Sequence, residues 1–215
     1  MRIKFEEQLK QLHDSLIEMG KMVEHAIASA DKALLEQNVE LAKTIIAFDD
    51  EIDAKEKEIE DLCMQIILRH QPVAGDLRLV SAVLKMITDL ERIGDHASDI
   101  SEITMFLADK PYIKKLEHLT QMASAAMKMV SESIKAVVTN DLNLAQQVIA
   151  SDDIMDDLFI TVKNEIIELI KQKTENSDQA IDFLMIAKYF ERIGDHAENI
   201  AEWVVYTHTG KHKGA

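Results

Sequence analysis

The residues of this sequence that are best suited to chemistry are two acidic side chains in a repeated heptapeptide. Residues 91–97 and 191–197 are identical, Glu-Arg-Ile-Gly-Asp-His-Ala, and lie 100 positions apart. Seven identical residues at matching places in two halves of one chain indicate a tandem duplication. In each copy a glutamate and an aspartate stand four residues apart, so a helix would place both carboxylates on one face. This spacing is typical of a metal-binding edge, and it occurs twice.

A second pair of carboxylates precedes the heptapeptide in each half. In the first half these are Asp49 and Asp53, and Pro72 lies 19 residues after Asp53 and 19 residues before Glu91. Two antiparallel helices that turn at this proline would bring Asp53 level with Glu91 and Asp49 level with Asp95, because both helices rise equally per residue. The spacing therefore predicts that four carboxylates meet on two neighbouring helices.

The second half repeats this arrangement, and in both halves the clustered acidic groups need a compensating positive charge. Carboxylates repel each other by about 1 kcal/mol per pair at about 4 Å even in the dielectric of water. A cation with oxygen ligands would relieve this repulsion, and all-oxygen sites suit Mg²⁺, Ca²⁺, Mn²⁺ or iron. The predicted metal ligands are the paired carboxylates of both halves: Asp49, Asp53, Glu91, Asp95, Asp152, Asp156, Glu191 and Asp195.

A helical wheel separates the acidic stripe from the apolar face of its helix. With Glu91 at zero, Asp95 falls at about 40°, whereas Ile93 and Ala97 fall within about 160–240°. The stripe is thus expected to face away from the core. A solvated acidic surface that binds no metal is the alternative, with Arg92 pairing to some of its carboxylates.

Glycine and histidine accompany the carboxylates in both heptapeptides. Gly94 and Gly194 would lie inside helices, where glycine costs about 1 kcal/mol relative to alanine. Close helix packing and backbone access beside the carboxylates both explain them, and the sequence leaves the two explanations open. His96 and His196 lie about 100° from the adjacent aspartate, so a hydrogen-bonding role is favoured over metal ligation.

Long helices must position these groups. The chain of 215 residues has two prolines, six glycines, 5% aromatic and 47% hydrophobic residues, which favours helices around a core over a sandwich or barrel. Asp76 is expected to cap the third helix. Helices are predicted at 5–36, 39–70, 76–108, 112–139, 142–173 and 178–208, with ends uncertain by about 2–4 residues.

Each half therefore holds three helices joined by short turns. This pattern predicts an all-α fold of two tandem three-helix up-down-up bundles related by pseudo-twofold symmetry. Residues 1–109 are predicted to form the first bundle and residues 110–215 the second, with Pro111 at the seam.

Charge and composition argue against several classes of function. A net charge of −15 without a basic stripe argues against nucleic acid as a partner. No apolar stretch approaches the length that spans a bilayer and no signal peptide is evident, so a cytoplasmic protein without membrane insertion is expected. Cys63 is the only cysteine and is expected to be a small buried hydrophobe.

Motifs for enzymatic chemistry are missing from the sequence. No nucleophile–base pair, P-loop or dinucleotide fingerprint occurs. A di-iron oxidase would need Glu-x-x-His pairs facing a four-helix core, and none aligns with the acidic stripe. A metal-dependent hydrolase that uses the same carboxylates and a metal-free helical adaptor remain as alternatives to a metal-binding regulator.

The chain resembles the PhoU family of phosphate-transport accessory and regulatory proteins over nearly its full length. The resemblance rests on the four paired acidic motifs, on residues 71–78 (Gln-Pro-Val-Ala-Gly-Asp-Leu-Arg) and on both Glu-Arg-Ile-Gly-Asp-His runs. It implies two three-helix bundles, a homodimer, and metal ions or clusters on the acidic motifs, with Fe, Mn, Mg or Zn as the metal.

The resemblance also implies a function that composition does not reveal. PhoU-like proteins repress the phosphate-starvation response and restrain the phosphate ABC transporter, through contacts with its ATPase subunit and with a membrane sensor histidine kinase, without being enzymes. One departure from symmetry concerns the accessory carboxylates, since Phe159 and Lys163 stand where the first half has Glu56 and Glu60. The two metal sites are therefore expected to differ in ligand number and affinity.

Overall fold

Six long helices make up the computed structural model, which describes residues 2–172, 175 and 177–211. Within these residues no strand occurs, and the all-α prediction is confirmed. The helices are α1 (Arg2–Glu36), α2 (Val39–His70), α3 (Gly75–Leu107), α4 (Glu117–Thr139), α5 (Leu142–Gln172) and α6 (Ser177–Thr209). The predicted end of the fifth helix at residue 173 lies just outside the described residues.

In each half, the turn between the first and second helices is stabilised by a side-chain oxygen that accepts hydrogen bonds from backbone N–H groups at the start of the second helix. Asn38 caps α2, and its side chain accepts a hydrogen bond from the Leu41 N–H at 3.0 Å. In the second half Asn140 takes a left-handed conformation with φ of 54°, which ends α4. Asp141 then accepts from the N–H groups two and three residues on, both at 3.0 Å, and starts α5.

One predicted helix cap and one predicted helix start are wrong. Asp76 does not cap α3, because the helix begins one residue earlier and its cap is Ala74, with φ of 50° and no side-chain hydrogen bond. Asp76 lies instead in the first turn, where a carboxylate still favours the positive end of the helix. The fourth helix begins at Glu117 rather than at residue 112.

The connection between α3 and α4 is held in a non-helical conformation by contacts with both halves. The Tyr112 hydroxyl donates to the Leu34 carbonyl at 2.6 Å. The Ile113 N–H donates to the Gln179 side-chain oxygen, also at 2.6 Å. These long-range bonds explain the late start of α4, and the predicted boundary at 109/110 falls within this connection.

The six helices form two three-helix bundles that pack against each other. Helices α1–α3 form the first and α4–α6 the second, while α3 packs on α6 and α1 on α4 between them. Helices α2 and α5 lie on the outside, against helices of their own halves. One continuous apolar cluster runs through both bundles.

Cys63 belongs to this core, as predicted. It is fully buried, and burial, with a smaller effect of Glu60, raises the pKa of its thiol to about 12. None of the described helices combines the length and apolarity that crossing a bilayer requires.

Candidate metal centres

Three of the four predicted ligands of the first half come together between α2 and α3. Asp49, Asp53 and Asp95 each offer one carboxylate oxygen, and these atoms lie within 4.8 Å of one another. All three side chains are half-buried. The level match predicted from the spacing about Pro72 is therefore present in the structure for Asp49 and Asp95.

Gly94 lets α3 approach α2 at this point. A Cβ atom at this position would lie 3.0 Å from Asp49 Oδ1 and 3.0 Å from Ile52 Cδ1. Close helix packing, one of the two explanations that the sequence left open, therefore applies, and the missing side chain also leaves room for the Asp49 carboxylate.

The Asp49 carboxylate has a buried oxygen, Oδ1, that forms no hydrogen bond within the described part of the chain. Burial, and then the charges of Asp95, Asp53 and Glu91, raise the pKa of Asp49 to about 7. A group in this setting is ionised near neutral pH only at an electrostatic cost, which a cation would remove.

Glu91, the fourth predicted ligand of the first half, is not one of the three carboxylates that meet. Its Oε2 atom is buried and forms no hydrogen bond in the described part of the chain, and Arg92 Nε lies 3.4 Å from it in an ion pair. Arg92 also donates to Asp95 at 2.7 Å. Burial and Asp95 raise the pKa of Glu91, and Arg92 opposes them. The pairing expected of Arg92 is thus present.

The second half has a similar group of carboxylates between α5 and α6, and one of them is paired with a lysine. Asp152 Oδ1 is buried and forms no hydrogen bond with the residues that the structure describes. Burial, followed by the charges of Glu198 and Asp195, raises the pKa of Asp152 to about 6. Lys188 binds Glu191, which is itself 9% exposed. Among the described residues of the second half, no three carboxylates have oxygen atoms within 4.8 Å of one another.

Sequence reasoning missed the contribution of Lys188. The aligned residue of the first half is Thr88, which donates to Glu56 at 3.2 Å and brings no positive charge. Alignment of the two halves would have shown this difference. The second acidic groove therefore has a positive charge at Lys188 that the aligned position of the first groove lacks.

The orientation predicted for the acidic stripes is only partly right. The carboxylates do avoid the apolar core, but they lie in the grooves between helices, and oxygens of Asp49, Glu91 and Asp152 are fully buried. The orientation away from the core of the stripe's own helix is as predicted, but the neighbouring helix, which a wheel drawn for one helix does not include, covers part of each stripe.

The residues of the first groove fit an oxygen-ligated cation. Asp49, Asp53 and Asp95 supply an all-oxygen donor set, one donor atom is buried without a partner, and Gly94 leaves space beside it. These three residues would hold the ion, whose charge would offset their mutual repulsion. In the second groove Asp152 and Asp195 are the better placed ligands, since Lys188 engages Glu191 and Asp156 is exposed.

The two histidines of the heptapeptides meet where α3 packs on α6. The ring centroids of His96 and His196 are 5.5 Å apart. His196 Nδ1 lies 2.9 Å from an Asp89 carboxylate oxygen, a contact that joins the two halves. His96 Nδ1 lies 3.4 Å from Asp99 on its own helix. A hydrogen-bonding role was predicted, but the pairing across the pseudo-twofold axis was not.

Two repeated three-helix bundles, each with an acidic groove beside a helical glycine, define a class of duplicated all-α proteins. The PhoU domain matches residues 16–104 and 119–204, one segment in each half. The chain belongs to the PhoU family.

Individual relatives match over nearly the whole length. The phosphate-specific transport system accessory protein PhoU homolog of Clostridium acetobutylicum is 36% identical over 208 residues, which cover 96% of this chain and 95% of that protein. The homolog of Aquifex aeolicus is 37% identical over 190 residues, 88% of this chain and 86% of its own. The crystal structure of PhoU from Pseudomonas aeruginosa superposes with a TM-score of 0.92 at 32% identity, covering 96% of this chain and all of that one (100%).

Proposed function

We propose that this protein is a regulator of phosphate transport that restrains the phosphate ABC transporter and represses the phosphate-starvation response. The observation that carries this proposal is the similarity over almost the full length to relatives named as accessory proteins of the phosphate-specific transport system. The structure supports it through a fold shared with PhoU of Pseudomonas aeruginosa.

The proposed partners are the ATPase subunit of the transporter and a membrane sensor histidine kinase. In this proposal the protein acts in the cytoplasm as a homodimer, without enzymatic activity of its own. It therefore changes transport and signalling by binding, and its own surfaces, rather than a reaction, carry the function.

We further propose that metal ions bind both acidic grooves, through Asp49, Asp53, Glu91 and Asp95 in the first half and their equivalents Asp152, Asp156, Glu191 and Asp195 in the second. Fe, Mn, Mg or Zn are the candidate ions. The bound charge would offset the repulsion between helices and hold each groove in one shape, which a partner could then recognise.

Deletion of the gene in its host tests the regulatory proposal. Phosphate uptake and a phosphate-starvation reporter are both expected to rise in phosphate-rich medium, and the intact gene is expected to restore them. Unchanged uptake and reporter signal after deletion would contradict the proposal. Turnover of a phosphoester by the pure protein, lost with the same carboxylates, would favour the hydrolase instead.

Elemental analysis and Mn²⁺ titration of pure protein test the metal proposal separately. Asp53→Asn combined with Asp95→Asn is expected to abolish binding in the first groove. Glu51→Gln is the matched control, because Glu51 is an exposed acidic residue of the same helix and is not one of the three carboxylates that meet. Equal Mn²⁺ binding by the parent and the double variant would exclude this groove as the site.

A further inference from the structure

The two halves differ on the outer face of their second and third helices. In the second half this face carries exposed apolar side chains on α5 and α6. They are Ile160, Ile167, Ile181 and Met185, which are 46%, 42%, 52% and 41% exposed. The aligned residues of the first half are Lys57, Met64, Ser81 and Lys85, so three of the four positions are polar or charged there.

The four residues, here named the α5–α6 patch, lie at matching levels of the two helices. Contacts of Asp152 with Gly194 and of Phe159 with Lys188 fix the antiparallel register of the two helices. In this register Ile160 lies level with Met185, and Ile167 with Ile181, to within about two residues. Ile160 and Ile167 fall within about 20° of each other around α5, and Ile181 and Met185 within about 40° around α6.

Helix packing does not require these apolar side chains. Helices α2 and α3 pair in the same way as α5 and α6, and there Lys57 and Lys85 are exposed at the aligned positions. The first half thus shows that charged side chains are compatible with the same fold. A cluster of exposed apolar residues on a protein surface marks an interaction site more often than a structural need.

The charges around the α5–α6 patch indicate what covers it. Its rims are acidic, with Asp157 and Glu168 on α5 and Asp178 and Asp182 on α6. Lys171 is engaged by Glu168 at 2.8 Å. An apolar stripe between acidic rims complements a helix that has an apolar face flanked by basic residues.

Two lysines lie between the apolar residues of α5 and those of α6. Lys188 binds Glu191, and its ammonium group lies over the Phe159 ring. Lys163 lies on the α6-facing side of α5, about 60° from Ile160, so both lysines stand inside the acidic rims and not on them.

A second copy of the chain fits the patch poorly. The chain has a net charge of −15, and two such patches facing each other would bring their acidic rims together. Like charges across an interface oppose association.

We propose that the α5–α6 patch is a docking site for an amphipathic helix of a partner protein, with apolar residues on one face and Lys or Arg on its flanks. Ile160 and Ile167, two helical turns apart, would receive residues at i, i+3 or i+4, and i+7 of that helix. This inference rests on the proposed function and deepens it, because it assigns partner binding to a particular surface of the second half.

A designed peptide tests the site on the purified full-length chain. The probe is a fluorescein-labelled helix with leucine at heptad spacing and Lys or Arg at its flanks. Two control peptides carry Glu in place of the basic residues, or the same composition without a leucine stripe. Fluorescence anisotropy at physiological salt is expected to show binding of the first peptide with one site per chain, and clearly weaker binding of both controls.

The first half supplies matched variants. Ile160→Lys, Ile181→Ser and Met185→Lys together install first-half residues on the second half, and are expected to weaken peptide binding by about tenfold or more. Conversely, Lys57→Ile, Ser81→Ile and Lys85→Met are expected to create a second site, so that the stoichiometry rises from one to two peptides per chain. Met185→Lys alone is the fallback if the triple variant fails to fold by circular dichroism.

Several results would overturn the docking proposal. One is equal affinity of the protein for the basic and acidic peptides, and another is unchanged peptide affinity in the second-half variants. A third is a dimer in sedimentation experiments that the second-half variants dissociate, because this result would assign the patch to a second copy of the chain. The assay contains no transporter. If peptide binding fails while the gene still restrains phosphate uptake, only the docking site is refuted, and the regulatory role stands.

Discussion

Replacing the two helical glycines by alanine compares the same substitution in the two halves. At Gly94 the added Cβ would meet Asp49 Oδ1 and Ile52 Cδ1, both at 3.0 Å, and Ile52 is a β-branched side chain that is 1% exposed. At Gly194 the nearest atom is Met155 Cγ at 3.1 Å, and the next contacts lie at 3.6 Å. The flexible methionine can move aside, whereas isoleucine and a confined carboxylate cannot do so easily.

These contacts determine the expected magnitudes. Alanine gains about 1 kcal/mol over glycine in a helix interior, and overpacking a filled site costs about 1–3 kcal/mol. Gly94→Ala is therefore expected to destabilise the protein by about 1 kcal/mol, with a range of about 0–2 kcal/mol. Gly194→Ala is expected to be neutral or stabilising by up to about 1 kcal/mol, because only Met155 has to shift.

Urea unfolding of the metal-free protein, with both variants and the parent measured together, gives the free energies of unfolding directly. Thermal unfolding gives a second reading, since about 1 kcal/mol shifts the Tm by about 2–4 °C at this chain length. If Gly94→Ala is as stable as Gly194→Ala, or more stable, the assignment of close packing at the first groove is refuted.

Two further predictions concern the charges around the grooves, and a third concerns a contact between the two halves. Asp49→Asn is expected to raise the Tm of the chelator-treated protein at about pH 8, because the folded-state pKa of Asp49, about 7, lies above its ordinary value of 3.8. The gain in Tm should shrink as the pH falls from about 7 and vanish near about pH 4, where Asp49 is protonated in both the folded and the unfolded protein. A gain in Tm of equal size at about pH 8 and about pH 4 would contradict this prediction. Lys188→Thr should increase the affinity of the second groove for Mn²⁺ in titration calorimetry, because it frees Glu191, and unchanged or lower affinity would show that Lys188 does not compete with the metal. Asp89→Ala removes the partner of His196 across the two halves, so urea unfolding should show a loss of about 1–3 kcal/mol, and full stability would mean that the contact contributes nothing.

Features that depend on a single helix or on spacing along the chain were predictable from the sequence. The duplicated heptapeptide and the positions of Pro72 and the turn residues fixed six helices and the level match of Asp49 with Asp95. Local periodicity carries this information because each helix has a constant rise per residue.

Features that depend on contacts between distant segments were not predictable in this way. The late start of α4 follows from hydrogen bonds of Tyr112 and Ile113 with residues of α1 and α6. The meeting of His96 with His196 follows from the packing of α3 on α6. The half-buried position of the carboxylates follows from the neighbouring helix, which a wheel drawn for one helix leaves out.

The contact of α3 with α6 has a consequence for the origin of the fold. Residues at matching places of the two repeats face each other there, as the paired rings of His96 and His196 show. A single ancestral repeat would have left this apolar seam open, and two identical chains would have closed it around a true symmetry axis. Gene fusion would then have turned a pair of subunits into one polypeptide, and freed each repeat to acquire its own surface.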